Sequence, residues 1–186
     1  AKTHTGLFSK AAAISFNGNK IITTGGGGAI ITNSLKLAKR AKHIITTAKI
    51  SHSYEYIHDE IAYNYRMPNL NASLGCAQIE SLNEFLIKKK FLADHWQKFF
   101  KKKGIKVIQP FKGSRANFWL NAIVLRSKKD RDFFLKHTNK KGVMTRPIWR
   151  LMNELKMFKN FQNDGLKNSI WLPDRVVNIP SSVLNK

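Results

Sequence analysis

One lysine stands just before a run of glycines, in an order that the common phosphate-binding loops do not share. Residues 15–31 are SFNGNKIITTGGGGAII, so Lys20 follows a short polar turn and precedes the glycines. A Walker-type loop has its lysine after the glycines, at the mouth of a helix. A dinucleotide-binding fingerprint needs glycines between a strand and a helix, whereas β-branched residues follow the glycines here. Both kinds of site are therefore excluded for this stretch.

The alternative to a functional Lys20 is an ordinary surface lysine beside a flexible turn. Several neighbouring features favour a function. The Asn17-Gly18-Asn19 turn can present the amine to a cleft, and the Ser15 hydroxyl can bind an anion. The glycines allow the backbone to approach a ligand closely. A lysine that binds an aldehyde covalently needs an enclosed polar site of this kind, in which the phosphate of the aldehyde compound is also held.

Short apolar segments flank Lys20 on both sides and have the composition of strands. The expected strands span residues 11–16, 20–24 and 28–32. The alanines of the first segment leave a helix open as an alternative there. A turn through the glycines would join the second strand to the third. Asn33 and Ser34 then supply cap-type residues for the start of a helix.

The region that follows this helix has no regular period. Residues 50–67 carry aromatic and histidine side chains of mixed polarity, which predicts a functional loop or irregular arm. The strands before it do not make a complete sheet and would leave open edges. We therefore expect residues 1–68 to be the rear part of a larger α/β domain.

A strongly helical pattern begins at Asn69. Apolar residues recur every three or four positions and predict one long connecting helix over residues 69–103, ended by Gly104. The expected apolar stripe consists of Leu70, Leu74, Ala77, Leu82, Phe85, Leu92, Trp96 and Phe99. Residues 104–186 predict a small C-terminal α+β domain. Its expected strands are residues 105–110, 117–125 and 143–147, and its expected helix is residues 128–142.

The chain is strongly basic, with a formal net charge of +22 from 33 Lys+Arg and 11 Asp+Glu. Such a charge raises the possibility of a non-enzymatic module that binds nucleic acid or an anionic glycan. The lysines are spread along the chain, however, and arginines, which read bases and clamp phosphates best, are few. The dense runs at residues 88–90 and 101–103 are expected to be solvated helix faces. The basic module is therefore kept as the alternative function.

The remaining composition favours a cytoplasmic globular protein. The sequence has no apolar run long enough for a transmembrane helix and no secretory pattern at its start. Its single cysteine, Cys76, excludes an internal disulfide and is expected to be buried on an apolar helix position. A reducing compartment is consistent with this usage.

Two stretches together resemble the DegT-type nucleotide-sugar aminotransferases, which are pyridoxal-phosphate enzymes of fold type I. They are SFNGNKIITTGGGGAIIT at residues 15–32 and HDEIAYNYRMPNLNASLGCAQIE at residues 58–80. The later GVMTRPIWRLMNELKMF and VVNIPSS resemble the branch that aminates keto-sugar nucleotides for nonulosonic-acid and related surface-sugar pathways. The resemblance extends over essentially the whole chain.

The resemblance implies a role for each matching residue. Lys20 matches the lysine that binds the cofactor aldehyde and moves a proton between cofactor and substrate. Ser15 matches a hydroxyl that binds the cofactor phosphate. Asn64 matches an asparagine that reaches the phosphate of the neighbouring subunit's cofactor, which would make the active site composite and the dimer obligatory. Arg66 is a candidate phosphate, substrate or subunit contact, or else a structural arginine, and Asn17 is expected to stabilise the turn rather than to line the site.

Arg146 is a further candidate for substrate binding, on a local argument. It precedes Pro147, which keeps the chain extended, and Trp149 and Arg150 follow at once. A guanidinium beside an aromatic ring suits a phosphorylated ligand with a planar ring, so Arg146 would hold the sugar nucleotide or the carboxylate of the amino donor. The alternative is that Trp149 and Met152, at helical spacing, pack the domain core and that Arg146 pairs with a surface carboxylate.

Other polar groups are assigned no chemistry. Asp59 and Glu60 match no catalytic position and are expected to form loop salt bridges. His52 and His58 lack metal-ligand spacing, so no metal site is expected. The pyridinium-binding Asp, the ring-stacking aromatic residue and the first phosphate loop of the family would come from sequence before residue 1.

These observations predict the C-terminal half of a fold type I aminotransferase. The expected cofactor is pyridoxal 5′-phosphate, which supplies the electron sink. The expected reaction transfers an amino group from a donor amino acid, with glutamate as the first candidate, to a 4-keto sugar nucleotide for bacterial surface glycans. We expect a cytoplasmic homodimer without membrane contact, and the chain by itself would lack half of the cofactor site.

Overall fold

A computed structural model describes residues 3–183 and shows two compact units. The first unit extends to Asn83, and the second begins at Glu84. The division therefore falls within the segment that was expected to connect two domains, and the expected boundaries at 68/69 and 103/104 stay predictions. Within the described residues, each helix is too short or too polar to cross a membrane.

The first unit begins with a two-stranded antiparallel hairpin. Strand β1 (Ala12–Ser15) pairs with β2 (Gly28–Ile31), and Ser15 lies opposite Gly28. The prediction of a strand at residues 20–24 is wrong. These residues form no strand, and β1 pairs directly with β2. The intervening segment turns back on itself instead, and the Thr24 amide donates to Phe16 O at 3.0 Å.

A helix and an irregular arm follow the hairpin, as the sequence predicts. Helix α1 (Leu35–Ile45) is capped by Ser34, whose Oγ accepts a hydrogen bond from the Leu37 amide at 3.3 Å. Two short paired strands, β3 (Lys49–Ile50) and β4 (Ile57–His58), interrupt the arm.

The expected long helix is divided in two. Helix α2 (Asn69–Glu80) begins directly after Pro68, and helix α3 (Leu82–Lys101) begins after the single residue Ser81. Ser81 has φ −88° and ψ −5°, and its amide still donates to Ala77 O at 3.3 Å, so the interruption is confined to one residue. The expected apolar stripe is buried only in part: Leu70 is 86% exposed, whereas Leu92 is 7% exposed.

The second unit is built on a four-stranded antiparallel sheet in the order β5-β6-β8-β7. Its strands are β5 (Lys106–Val107), β6 (Asn121–Val124), β7 (Arg146–Pro147) and β8 (Val176–Ile179). The expected helix is α4 (Lys128–Lys140), and a short helix α5 (Lys167–Trp171) precedes β8. Strand β8 was not expected from the sequence, although VVNIPSS was noted as a motif. It lies at the centre of the sheet, and Val177 is 0% exposed.

The hydrophobic core of the second unit joins the sheet to both long helices. Its buried members are Phe100, Val107, Ile123, Leu125, Val177 and Ile179, and Trp96, Ile105, Phe134 and Leu135 pack against them. Here the spacing of the apolar residues in α3 and α4 is explained by burial against one surface.

Candidate active site

Lys20 lies in a short turn between the two strands of the hairpin. The Lys20 amide donates to Asn17 O at 3.0 Å, which closes the Asn17-Gly18-Asn19 turn, and the Lys20 side chain is half-buried. Ser15, at the end of β1, is exposed, and its Oγ accepts a hydrogen bond from the Asn17 amide at 3.3 Å. Asn17 Nδ2 also donates to Asn19 Oδ1 at 3.4 Å. The turn therefore links the backbone of Lys20 to Asn17 and, through the Asn17 amide, to the Ser15 hydroxyl, and its bonds match the stabilising role expected of Asn17.

The glycine-rich end of the loop is tied to helix α2. The Thr23 amide donates to Gln78 Oε1 at 3.3 Å, and Asn71 Nδ2 donates to Thr24 O. Thr24 is 3% exposed, and its Oγ1 donates to Gly26 O. The loop that carries Lys20 is thus held by β1 at one side and by two polar side chains of α2 at the other.

Two glycines are required by close packing around this loop. A β-carbon on Gly28 would lie 2.5 Å from Ile14 O, which is a backbone atom that cannot move aside. A β-carbon on Gly75, in the middle of α2, would lie 2.9 Å from Thr24 Cγ2. These contacts explain why glycine occupies a strand position and a helix interior, where it otherwise lowers stability.

An apolar cavity of about 150 Å³ lies between the loop and α2. Its lining includes Phe16, Thr24, Met67, Gly75 and Cys76. Cys76 is exposed, so the expected buried thiol is wrong. The apolar spacing of α2 resembles that of α3, but α2 has no buried residue, whereas α3 has several. Helical spacing therefore did not indicate burial of Cys76.

Asn64 and Arg66 are brought together at the end of the arm. Arg66 Nε donates to Asn64 Oδ1 at 3.3 Å, and both side chains are exposed. Asn64 also forms an isolated antiparallel bridge to Thr46, just after α1. The two residues thus lie on an ordered backbone, with an amide and a guanidinium that face outward together.

Ion pairs fasten the arm to helix α1. Arg40 binds both carboxylate oxygens of Glu60, with Nη2 to Oε2 at 2.7 Å, and His43 Nε2 lies 2.7 Å from Asp59 Oδ1. The hydrogen bond from Arg40 holds the pKa of Glu60 below its ordinary value. The expected salt-bridge role of Asp59 and Glu60 is confirmed.

Arg146 is exposed in β7 and pairs through its backbone with Asn178. The preceding Thr145 is 2% exposed, and its Oγ1 lies 2.6 Å from Thr138 Oγ1, which anchors the strand to α4. Trp149 is 66% exposed and Met152 is 60% exposed, so the alternative that they pack a core is wrong. Their expected helical spacing is also wrong, because only a short 3₁₀ turn, Met152–Glu154, is present there.

A lysine that sequence reasoning placed on a solvated face is buried. Lys89 is 5% exposed, and its Nζ donates to Ser181 O at 2.5 Å and to Trp119 O at 3.3 Å. Burial lowers the pKa of Lys89. Its neighbour Lys88 is half-buried, whereas Lys90 and Lys101 to Lys103 are exposed as expected.

Comparison with known proteins decides the family. The model of the DegT/DnrJ/EryC1/StrS aminotransferase family matches residues 1–184. The chain belongs to this family. The resemblance noted from the Lys20 and Asn64 motifs is thereby confirmed, and enzymes of the DegT family depend on pyridoxal phosphate.

The chain is shorter than its relatives in the DegT family. A GDP-perosamine synthase of Escherichia coli O157:H7 is 33% identical over 183 residues, which are 96% of this chain and 48% of that protein. EpsN of Bacillus subtilis, described as a putative pyridoxal phosphate-dependent aminotransferase, is 28% identical over 83% of this chain and 40% of its own length. The chain therefore spans about half the length of the curated relatives that it matches.

Solved structures agree on the fold. Helicobacter pylori PseC, an aminotransferase involved in the biosynthesis of pseudoaminic acid, has a TM-score of 0.90 at 20% identity, over 98% of this chain and 50% of PseC. The sugar aminotransferase Spr1654 of Streptococcus pneumoniae in its PLP form has a TM-score of 0.88 at 19% identity, over 100% of this chain and 50% of that protein. The chain thus has the α/β fold of half of a fold type I sugar aminotransferase. The small C-terminal domain stays a prediction.

Sequence reasoning missed the contacts that hold the loop. The signal for Gly75 was present, since an isolated glycine inside a helical pattern marks a close approach. The polar bonds of Asn71 and Gln78 to Thr24 and Thr23 join positions far apart in sequence, and neither side chain has a distinguishing pattern.

Proposed function

We propose that this chain forms the C-terminal half of a pyridoxal-phosphate-dependent aminotransferase that delivers an amino group to a 4-keto sugar nucleotide. The observation that carries the proposal is the half-buried Lys20 in a turn to which the Ser15 hydroxyl is hydrogen-bonded through the Asn17 amide, in a chain of the DegT family. The names of the perosamine synthase relatives support a sugar-nucleotide substrate. Glutamate is the proposed amino donor, and the cytoplasm is the proposed location.

The residues around Lys20 fit the cofactor. An aldehyde needs an amine that is partly withdrawn from water, and a phosphate needs hydrogen-bond donors nearby. Lys20 supplies the amine, and Ser15 Oγ, which accepts from the Asn17 amide, keeps its own proton for donation to an anion. When bound, pyridoxal phosphate supplies the electron sink for breaking and forming bonds at the carbon that carries the amino group.

Each residue of this chain would then have a defined task. Lys20 would hold the cofactor covalently through Nζ, and the same amine would accept and return the substrate proton. Ser15 orients the cofactor through its phosphate. The bonds from Asn71 and Gln78 to two threonines of the loop that carries Lys20 would limit the movement of that loop.

Asn64 and Arg66 would serve a second subunit. We place Asn64 against the cofactor phosphate of the partner in a homodimer, with Arg66 beside it at the phosphate or the substrate. Their exposure and their mutual hydrogen bond support this, because an amide held by a guanidinium presents its NH₂ group outward. Arg146 would contact the sugar nucleotide or the carboxylate of the donor.

The test uses a complete enzyme, in which this chain is joined to the amino-terminal half of a family relative. The protein is incubated with pyridoxal phosphate, reduced with borohydride, digested and mapped by mass spectrometry. We expect the pyridoxyl group on Lys20 and a loss of amino transfer in Lys20→Ala. The control is Lys10→Ala, which removes an exposed lysine of the same unit and should retain both properties. Label spread over many surface lysines, or substantial turnover in Lys20→Ala, would refute the assignment.

A further inference from the structure

Two tryptophans of the second unit form an aromatic pair that is largely open to solvent. The rings of Trp119 and Trp149 lie with centroids 6.3 Å apart and planes 28° apart, so they are nearly parallel. Trp149 is 66% exposed, and Trp119 is half-buried. Two adjacent indoles with an open face offer a flat apolar surface on which a planar ring can stack.

The backbone under Trp119 is held rigidly. The Trp119 amide donates to Asn117 Oδ1 at 3.1 Å, and Trp119 O accepts from Nζ of the buried Lys89 at 3.3 Å. The preceding residue, Phe118, has φ +50°, a left-handed conformation that is unfavourable for a bulky residue. Such strain persists only where the surroundings enforce it, and it is concentrated at ligand sites.

Trp149 also follows a fixed segment. It stands two residues after strand β7, which pairs with β8 and is anchored by the buried Thr145. The ring is thus presented from an ordered backbone, and its orientation is largely set before a ligand arrives, which reduces the entropy lost on binding.

Positive charge flanks this ring in the sequence. Arg146 and Arg150 are both exposed, and in the described part of the chain neither guanidinium forms an ion pair. A guanidinium suits a phosphate through two parallel hydrogen bonds. An aromatic face with arginines before and after it is therefore complementary to a ligand that joins a planar base to phosphates.

We propose that Trp149, supported by Trp119, stacks on the base of the sugar nucleotide and that Arg146 and Arg150 bind its diphosphate. The inference rests on the proposed function for its ligand and adds a base subsite within the second unit. Stacking tolerates different bases, because each base has a π-face, so this subsite binds the nucleotide without selecting among sugar nucleotides by base identity.

The test measures binding of UDP and GDP to the chain by isothermal titration calorimetry, without pyridoxal phosphate. We expect Trp149→Ala to weaken both by about 5- to 150-fold, the range typical of loss of one stacked base. Trp149→Phe should keep most of the affinity. Pyrophosphate affinity should be unchanged in Trp149→Ala and reduced in Arg146→Ala.

The matched control is Trp171→Ala. Trp171 is 47% exposed in the same unit, and its ring is covered by Arg175, whose Cζ lies 4.5 Å from the centroid. This variant should bind UDP and GDP like the wild type. Circular dichroism and melting curves on all variants show that each one is folded.

Three outcomes would overturn the subsite. In the first, the chain binds neither UDP nor GDP, and in the second, Trp149→Ala and Trp171→Ala lose the same nucleotide affinity. The third outcome is that Trp149→Ala also loses its affinity for pyrophosphate. Tighter binding of a single-stranded oligonucleotide than of UDP or GDP would assign the surface to nucleic acid instead. Because the titration needs no cofactor, failure of the borohydride mapping at Lys20 and failure of this subsite are separate results.

Discussion

Gly75 and Thr24 are in such close contact that a β-carbon on Gly75 would lie 2.9 Å from Thr24 Cγ2. Thr24 cannot move aside easily, because it is 3% exposed and its Oγ1 is bonded to Gly26 O. The contact presses the centre of helix α2 against the end of the loop that carries Lys20. It is therefore a sensitive point for testing how that loop is held.

We predict that Gly75→Ala lowers the free energy of unfolding by about 1 kcal/mol. Overpacking costs about 1–3 kcal/mol, and the higher helix propensity of alanine offsets about 1 kcal/mol of this. Urea unfolding followed by circular dichroism measures the change. In a Thr24→Ser background, which removes Cγ2 but keeps the hydroxyl, Gly75→Ala should be neutral or stabilising.

The control for this prediction is Gly18→Ala. A β-carbon on Gly18 would meet no heavy atom of the described chain within 4 Å, so this change should have little effect. A loss of stability in Gly75→Ala that persists in the Thr24→Ser background would contradict the steric explanation.

Lys89 provides a second prediction. Lys89→Met removes both donated hydrogen bonds and leaves the carbonyls of Trp119 and Ser181 without this donor, which should cost about 1–3 kcal/mol. Lys90→Met is the control, because Lys90 is exposed and forms a surface pair with Asp94, so its loss should cost less than about 1 kcal/mol. Equal losses in the two variants would show that the buried amine contributes nothing special.

The difference in unfolding free energy between the wild type and Lys89→Met should depend on pH, because burial lowers the pKa of Lys89. Burial lowers the pKa of Lys89 below its ordinary value of 10.5, so the unfolded chain binds more protons than the folded chain between the two values. The unfolding free energy of the wild type should therefore rise with pH, relative to Lys89→Met, over the interval that ends near 10.5. Denaturation curves for both proteins at increasing pH measure the slope, and a falling difference would contradict the shift.

Arg146 gives a kinetic prediction. In the complete enzyme, Arg146→Ala should raise the KM of the sugar nucleotide or of the amino donor and leave the cofactor absorbance intact, because Arg146 is proposed to bind substrate alone. The control is Arg126→Ala, another exposed arginine of the second unit. An unchanged KM for both substrates, with only a lower melting temperature, would assign Arg146 a structural role.

The net charge of +22 gives a prediction about nucleic acids. If the lysines act as a scattered solvated surface, duplex DNA should bind weakly and without sequence preference and should be released by moderate salt. Replacing the exposed Lys101, Lys102 and Lys103 by glutamine should reduce the slope of log K against log salt by at most about 2.7, that is about 0.9 per lost contact. Sequence-selective binding at physiological salt would favour the basic-module alternative.

Local patterns predicted the parts of the fold that local chemistry decides. The cap at Ser34, the start of α2 after Pro68 and the extended Arg146-Pro147 segment were all correct, because backbone preference alone sets them. Lys20 stays a prediction, and it rests on the same kind of local signature, a polar turn followed by glycines.

Errors arose where partners distant in sequence decide the outcome. Residues 20–24 have the composition of a strand, but β2 occupies the position beside β1 to which they would pair. Cys76 and Lys89 were assigned by helical spacing, which cannot show which turns of a long apolar pattern meet a core and which do not. In each case the position of a packing partner, rather than the residue type, determined exposure.

Burial is distributed very unequally between the two units. In the described part of the first unit, Thr24 and Ala48 are the residues classed as buried, whereas the second unit has a connected core that includes Phe100 and Ile123. Amide protons of β6 and β8 should therefore exchange with deuterium most slowly, and those of the hairpin around Lys20 more quickly than these. A ligand that binds only the ordered hairpin would spend part of its binding free energy on suppressing these local openings. Its observed affinity for the isolated chain would then report the conformational equilibrium of the hairpin as well as the contacts of the site.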